Sequence, residues 1–336
     1  MKRTLLRLSL PFRDPYTTAA GVVTERELVL LRLESADGSV GWGEAAPFEP
    51  YDGIPLERAI ATLTRRSRGR RPPQVRAALE MARLDLDARR EGRPVGEPGA
   101  DAIPVNRTLS AGPPEEAAAR AAEGVREGYS CFKLKVGLPD DERRVAAVRE
   151  AIGSWPALRI DANGAWSVEE AIASIRRLER YDLQFVEQPC RSLEELAEVR
   201  ARVSAPIAAD ESVATAEDVR RGAEASACDV VNVKLAQSGG FEAARDAIHA
   251  AEELGIAAFL SSTLDGPWGI AAALQLAASE RMPLACGLAT LELFDAELAR
   301  AIPPPRGGLL PVPQGPGLGV EPEPAALGEV LVEEIE

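Results

Sequence analysis

A chain of 336 residues with 46% hydrophobic content is long enough for one large domain with its own core and a smaller companion. Its 39 basic residues against 53 acidic ones leave a net charge of −14, which argues against nucleic acid or an anionic membrane as partner and favours solubility. Arg3, Arg7, Arg13 and Asp14 interrupt any leader-like run, no stretch approaches about eighteen uncharged apolar residues, and the expected location is the cytoplasm.

In chain order, residues 5–10 and 28–33 read as strands, Gly-Trp-Gly-Glu at 41–44 as a turn, and 73–90 as a helix. This opening lacks βα alternation, so residues 1–100 are expected to form an α+β capping domain. The arginine-rich run 65–71 reads as a solvated helix end among acidic neighbours. From residue 101 short apolar runs alternate with amphipathic segments. The runs are 103–109, 131–136, 158–161, 183–187, 207–210, 229–235, 257–261 and 283–288, and helix-period segments such as 114–127, 141–152, 168–181 and 243–254 lie between them. Eight runs predict a parallel, closed (β/α)7β TIM-like barrel over 101–303. Ser167-x-x-Glu170, Ser192-x-x-Glu195 and Thr215-x-x-Asp218 are capping-box patterns that fix three helix starts. The Pro- and Gly-rich tail, 304–336, is expected to run extended and pack back on the capping domain. Cys131, Cys190, Cys228 and Cys286 form no C-x-x-C pair and read as small buried residues.

Asp161, Glu187 and Asp210 close three successive predicted strands, at the C-terminal face where such barrels carry their active sites. Three carboxylates aimed into one space call for a cation, and hard oxygen ligands suit Mg²⁺, with Mn²⁺ as a substitute. The alternative is that each acid caps a helix or pairs with a base. Only four basic residues are lysines: Lys2, Lys133, Lys135 and Lys234. Arginine stays charged in a protein interior, whereas a desolvated lysine can lose its proton, so three lysines at strand ends read as a site. Lys133 and Lys135 are two apart on one strand and share a face, and the repulsion between them is expected to lower the pKa of one, fitting it as a general base. Lys234 ends a strand on the other side. A small-molecule carboxylate that loses the proton on its α-carbon is the substrate this arrangement implies. The competing view is that the lysines merely balance the acids.

Lys133-Leu134-Lys135, Asp161-Ala162-Asn163, Glu187-Gln188-Pro189, Asp210-Glu211-Ser212 and Lys234 followed by Gly239-Gly240 resemble the enolase superfamily, in the subgroup of muconate lactonizing enzyme. The resemblance implies that Asp161, Glu187 and Asp210 bind Mg²⁺, that Lys135 is the base tuned by Lys133, and that Lys234 stabilises an enediolate or acts as a second base. Glu211 would then support the metal ligands from behind. Pro104-Val105-Asn106, Ser261-Ser262 and 285–290 are similar to o-succinylbenzoate synthases of the actinobacterial type, which dehydrate the cyclohexadiene carboxylate SHCHC in menaquinone synthesis. N-succinylamino acid racemases share the framework. Dipeptide epimerases usually carry Asp-x-Asp where this chain reads Cys286-Gly287-Leu288-Ala289-Thr290, muconate cycloisomerisation stays open, and a non-catalytic carboxylate binder would have lost a ligand or a lysine. The only histidine, His249, lies inside a predicted helix and reads as surface or packing. Substrate contacts are expected from Tyr16 on the capping loop 14–21, and from Asn106, Asn163, Gly239, Ser261 and Ser262. Oligomeric state leaves no readable pattern.

Overall fold

Leucine and valine occupy both faces of the first two strands, so the N-terminal sheet can serve two cores at once. A computed structural model describes residues 1–18, 21–64, 70–97, 99–280 and 282–335. Its strands are β1 (Lys2–Thr18), β2 (Gly21–Glu34), β3 (Val40–Ala45), β4 (Ala102–Pro104), β5 (Arg107–Leu109), β6 (Cys131–Lys135), β7 (Ala157–Asp161), β8 (Leu183–Glu187), β9 (Ile207–Ala209), β10 (Val230–Val233), β11 (Ala257–Leu260), β12 (Leu309–Pro311) and β13 (Leu331–Ile335). The cap is an antiparallel sheet in the order β13-β1-β2-β3. On one face Leu5, Val29 and Leu31 pack on the helices Leu56–Thr64 and Pro73–Glu91. On the other, Leu6, Leu8, Leu10, Leu28 and Leu30 join the main core with Trp268 and Phe294.

Gly41–Glu44 is not a turn but the body of β3. The glycines are there for approach: a Cβ on Gly41 would lie 2.1 Å from the Ala82 carbonyl oxygen, and one on Gly43 2.0 Å from that of Ala78. Only bare backbone lets the helix Pro73–Glu91 press this closely onto the strand. The hairpin of β1 and β2 also runs further than residues 5–10 and 28–33 suggested, with a register shift between Pro11 and Tyr16. Within the capping loop, Asp14–Thr18 are strand, while Ala19 and Ala20 lie outside the described residues. Arg65–Gly69 of the arginine run lie outside them too.

A curled, all-parallel sheet in the order β11-β10-β9-β8-β7-β6-β5 forms the second layer of the fold. Seven of the eight predicted runs supply its strands. The first run divides, because β4 pairs antiparallel with β12 before the chain enters β5. The last run makes only single bridges: Cys286 pairs with Val105 and Gly287 with Ser261. The Asn106 amide donates to the Cys286 carbonyl and the Gly287 amide to that of Leu260, so the run touches both edges of the sheet. Inside, Phe185, Ala208, Val230 and Phe259 form a separate apolar cluster, and the Arg159 guanidinium lies between the two phenylalanine rings at 4.6 and 4.9 Å from their centres. All three capping boxes form, each with reciprocal bonds, at the helices Val168–Leu178, Leu193–Arg200 and Ala216–Glu224. The tail is only partly extended, since Pro324–Val330 is a helix ahead of β13. Among the described residues, no helix is long and apolar enough to cross a membrane.

Candidate active site

Strand register sets the site. Lys135 stands opposite Asp161, and Asp161 opposite Glu187, so three neighbouring parallel strands end at one level with these side chains. Glu187 faces Ala208, which puts Asp210, two residues on, on the same face. The carboxylates of Asp161, Glu187 and Asp210 are fully buried, and an oxygen from each lies within 4.8 Å of the others.

The lysines are woven among them. Lys133 Nζ is 2.8 Å from Asp161 Oδ2 and donates to Glu187 Oε1 at 2.7 Å. Lys135 Nζ donates to Asp161 Oδ2 at 2.7 Å and to Asn163 Oδ1 at 2.8 Å. Lys234 pairs with Asp210 Oδ1. Asn163 in turn donates to Glu211 Oε1 at 2.9 Å. Two residues that follow these strand ends, Asn163 and Gln188, hold left-handed backbone at φ 46° and 37°, strain of the kind that accumulates around active sites.

Electrostatics follow from this weave. Burial works to raise the Asp161 pKa, but Lys133 and Lys135 outweigh it and hold the carboxyl well below its usual range. Glu187 is pushed up to about 7, first by burial and then by the charges of Asp161 and Asp210 against Lys133. Burial likewise raises Asp210 and Glu211. Neither paired lysine is lowered, contrary to the expectation from their spacing. Burial does pull both down, and Lys133 pulls on Lys135, but the bonded carboxylates more than offset this and both are raised.

A cavity of about 180 Å³ opens over these groups, lined by Lys133, Lys135, Lys234, Asp210 and Glu211 from the barrel and by Tyr16, Thr18, Phe48, Pro50 and Tyr51 from the cap. Of the predicted substrate contacts, Tyr16, Asn163, Ser261 and Ser262 line it. Both serines bond side chains rather than capping a helix: Ser261 Oγ donates to Asn232 Oδ1 at 2.7 Å, and Ser262 Oγ lies 2.7 Å from Thr290 Oγ1. Asn106 is not part of the lining. It precedes β5, and is buried lower in the barrel, donating to Thr108 Oγ1 at 3.1 Å while Thr108 itself reaches the cavity. Gly239 is also elsewhere. It follows the short helix Leu235–Ser238 and abuts the cap, where a Cβ would meet Arg76 Nη2 at 2.4 Å. His249, half exposed, lies in the helix Phe241–Glu253 with its Nε2 2.8 Å from Glu280 Oε2.

Residues 116–326 match the family described as Enolase C-terminal domain-like. The chain belongs to the enolase superfamily. Over 307 residues it is 40% identical to the o-succinylbenzoate synthase of Thermobifida fusca, spanning 90% of this chain and 86% of that one. It is 32% identical over 351 residues to the L-Ala-D/L-Glu epimerase of Bacillus subtilis, spanning 94% of each. In shape it matches the crystal structure of muconate lactonizing enzyme from Pseudomonas fluorescens complexed with muconolactone, with a TM-score of 0.92, 26% identity and 98% of each chain covered. The buried Asp161, Glu187 and Asp210 fit a divalent-metal site of this superfamily. The fit is also local: Glu187 Oε2 and Asp210 Oδ2 are buried without a hydrogen-bond partner among the described residues, as unused oxygen ligands would be.

Two contributors to this enolase-superfamily site escape a reading by strand ends. Tyr51, on the turn of helix Glu49–Asp52, donates its hydroxyl to Asp210 Oδ1 at 2.9 Å. Asn232 Nδ2 donates to Glu187 Oε1 at 2.8 Å from inside the barrel. The signal for Asn232 was available: it precedes Lys234 by two residues, as Lys133 precedes Lys135. For Tyr51 the only hint was an aromatic pair, Phe48 and Tyr51, in a polar loop.

Proposed function

We propose that this chain is a Mg²⁺-dependent o-succinylbenzoate synthase, converting SHCHC to o-succinylbenzoate with loss of water in menaquinone synthesis. The observation that carries the reading is Lys135, buried beside the carboxylate cluster yet lining the cavity, where a substrate α-carbon can meet its amine. The curated relative at 40% identity bears that enzyme's name, which supports the choice of reaction. A divalent ion held by Asp161, Glu187 and Asp210 would supply positive charge to a substrate carboxylate and the electron density that proton removal places on it. In its neutral form Lys135 takes the α-proton and the electron pair of that C–H bond moves onto the carboxylate as an enediolate; that pair then returns to form the new ring double bond as the neighbouring C–O bond breaks. The ammonium then returns the proton to the departing hydroxyl on the same face, so water leaves and the ring becomes aromatic. Lys234 holds its cation against developing negative charge, and the driving force of aromatisation leaves the protein chiefly positioning to supply.

One observation favours a second reading, 1,1-proton transfer on an N-succinylamino acid or a dipeptide. Lys234 lines the same cavity from a different strand and can serve as the opposite base, and an epimerase is among the relatives. Against a dipeptide, 286–290 offers no acid to hold an ammonium group. The deciding experiment follows the ultraviolet absorbance of SHCHC with purified protein and Mg²⁺ beside a Lys135→Ala control. Turnover that vanishes in the control is the expected result. No turnover with Mg²⁺ demonstrably bound rejects the synthase reading and turns to α-deuterium incorporation into N-succinylamino acids, dipeptides and muconate.

A further inference from the structure

Arg26 sits on cap strand β2, 3% exposed, and spends its guanidinium on main chain. It donates to five carbonyl oxygens: Glu27 at 2.8 Å, Ala46 at 2.6 Å and Pro47 at 2.7 Å in the cap, and Thr263 at 3.2 Å and Leu264 at 3.1 Å in the barrel. The same group lies 4.9 Å from the centre of the Phe48 ring. Phe48, Thr263 and Leu264 all line the cavity described above. One fork of five donors therefore stands behind two walls of that cavity, one from each half of the fold.

Leu264 holds φ at 58°, a left-handed conformation that is rare and costly for a residue with a bulky side chain. Arg26 holds the carbonyls on both sides of this residue, those of Thr263 and Leu264.

We propose that Arg26 is a positioning residue that sets the selectivity of the site: its bonds keep Leu264 in the left-handed conformation and so fix the part of the cavity wall, lined by Phe48 and Leu264, against which the non-reacting part of the carboxylate substrate is held. This rests on the reading of the cavity as a proton-abstraction site. The reacting end lies with the lysines and is untouched by the fork, so Arg26 governs which substrate fits and not the chemistry itself. A lysine in its place offers one compact ammonium and cannot span both halves.

The test uses full-length protein with Mg²⁺, as wild type, Arg26→Lys and Arg26→Gln. Steady-state kinetics are measured on SHCHC, and α-deuterium exchange on an N-succinylamino acid. The expected result is KM for SHCHC raised about tenfold or more with kcat nearly kept, and the kcat/KM ratio of the two substrates shifted about as far. Unchanged kinetics, or an equal loss on both substrates carried by kcat, overturns the proposal. Hydrogen exchange without substrate gives an independent arm: amides of 261–266 exchange faster in the variants, while those of 131–135 do not. If wild type acts on neither substrate, the functional reading fails, and this exchange result alone decides whether Arg26 fixes the wall. Loss of a cooperative thermal transition in both variants makes Arg26 a folding residue and sinks the proposal.

Discussion

Lys234 Nζ donates to the Tyr51 hydroxyl at 2.9 Å and stands 4.2 Å above the centre of the same ring. The hydroxyl passes its own hydrogen to Asp210 Oδ1, so one cap side chain orients both a proposed metal ligand and a proposed catalytic cation. Tyr51→Phe keeps the ring and removes both bonds. Hydrogen bonds to charged groups contribute about 1.5–3 kcal/mol, so kcat/KM is expected to fall by about tenfold or somewhat more. Kinetics over a range of Mg²⁺ concentrations check this, and a Phe variant indistinguishable from wild type would reduce Tyr51 to packing.

Metal binding should show in stability as well as in rate. Glu187 and Asp210 each bury an unpartnered oxygen, and a cation that engages them binds the folded chain alone. At a concentration of Mg²⁺ about 100 times its Kd the gain is about 2.7 kcal/mol. The thermal midpoint should rise with added Mg²⁺ and fall back with chelator, and Asp161→Asn should remove most of the response. A midpoint insensitive to Mg²⁺ in wild type contradicts the ligand assignment.

The parts of this site that are local in sequence were legible and the parts that depend on packing were not. A lysine pair two apart on one strand and acids closing successive strands have fixed periods, and β6, β7 and β8 place them at one level. Tyr51 and Lys234 are 183 residues apart, and no period joins a cap loop to a barrel strand. Gly41 and Gly43 carry the signature of a turn, yet the cause of their presence is a helix lying on the strand, which belongs to tertiary structure. Repulsion within the lysine pair was read correctly in sign, but the bonded carboxylates that outweigh it could be weighed only from distances.

Gly239 and Gly240 illustrate the same point and give a sharper test. Helix Phe241–Glu253 has no side-chain cap of its own, and Glu80 of the cap accepts the Phe241 amide at 2.6 Å instead. A Cβ on Gly240 would lie 1.5 Å from Glu80 Oε2, and the residue holds φ at 137°. Glu80→Ala removes only the cap and should cost about 1 kcal/mol. Gly240→Ala both expels the carboxylate and forces the backbone, so it should cost about 2 kcal/mol or more. In the double variant the Gly240→Ala penalty should shrink, because the clash has gone. Urea unfolding of the four proteins measures this coupling, and strict additivity would show that Glu80 and Gly240 act separately.

The contact between Glu44 and the barrel predicts how stability responds to pH. Glu44 accepts the Gly266 amide at 2.7 Å and the Gly269 amide at 3.3 Å, at the start of helix Pro267–Glu280. Burial, and then the charge of Asp265, push its carboxyl up to about 8 from the usual 4.5, against the pull of those two amides. A folded-state pKa above the unfolded one means that the folded protein holds the extra proton between the two values. The stabilisation is therefore complete below about pH 4.5 and is lost as pH rises through about 8, by at most about 1.4 kcal/mol per pH unit for one proton. Asp265, raised by burial to about 6, adds a decline at lower pH. Glu44→Gln keeps an oxygen for the Gly266 amide but has no proton to lose. Urea unfolding at pH 6, 7, 8 and 9 should show wild-type stability falling up to about pH 8 and then levelling, and the Gln variant nearly flat above pH 7. Equal slopes in the two proteins would place the titration on another group.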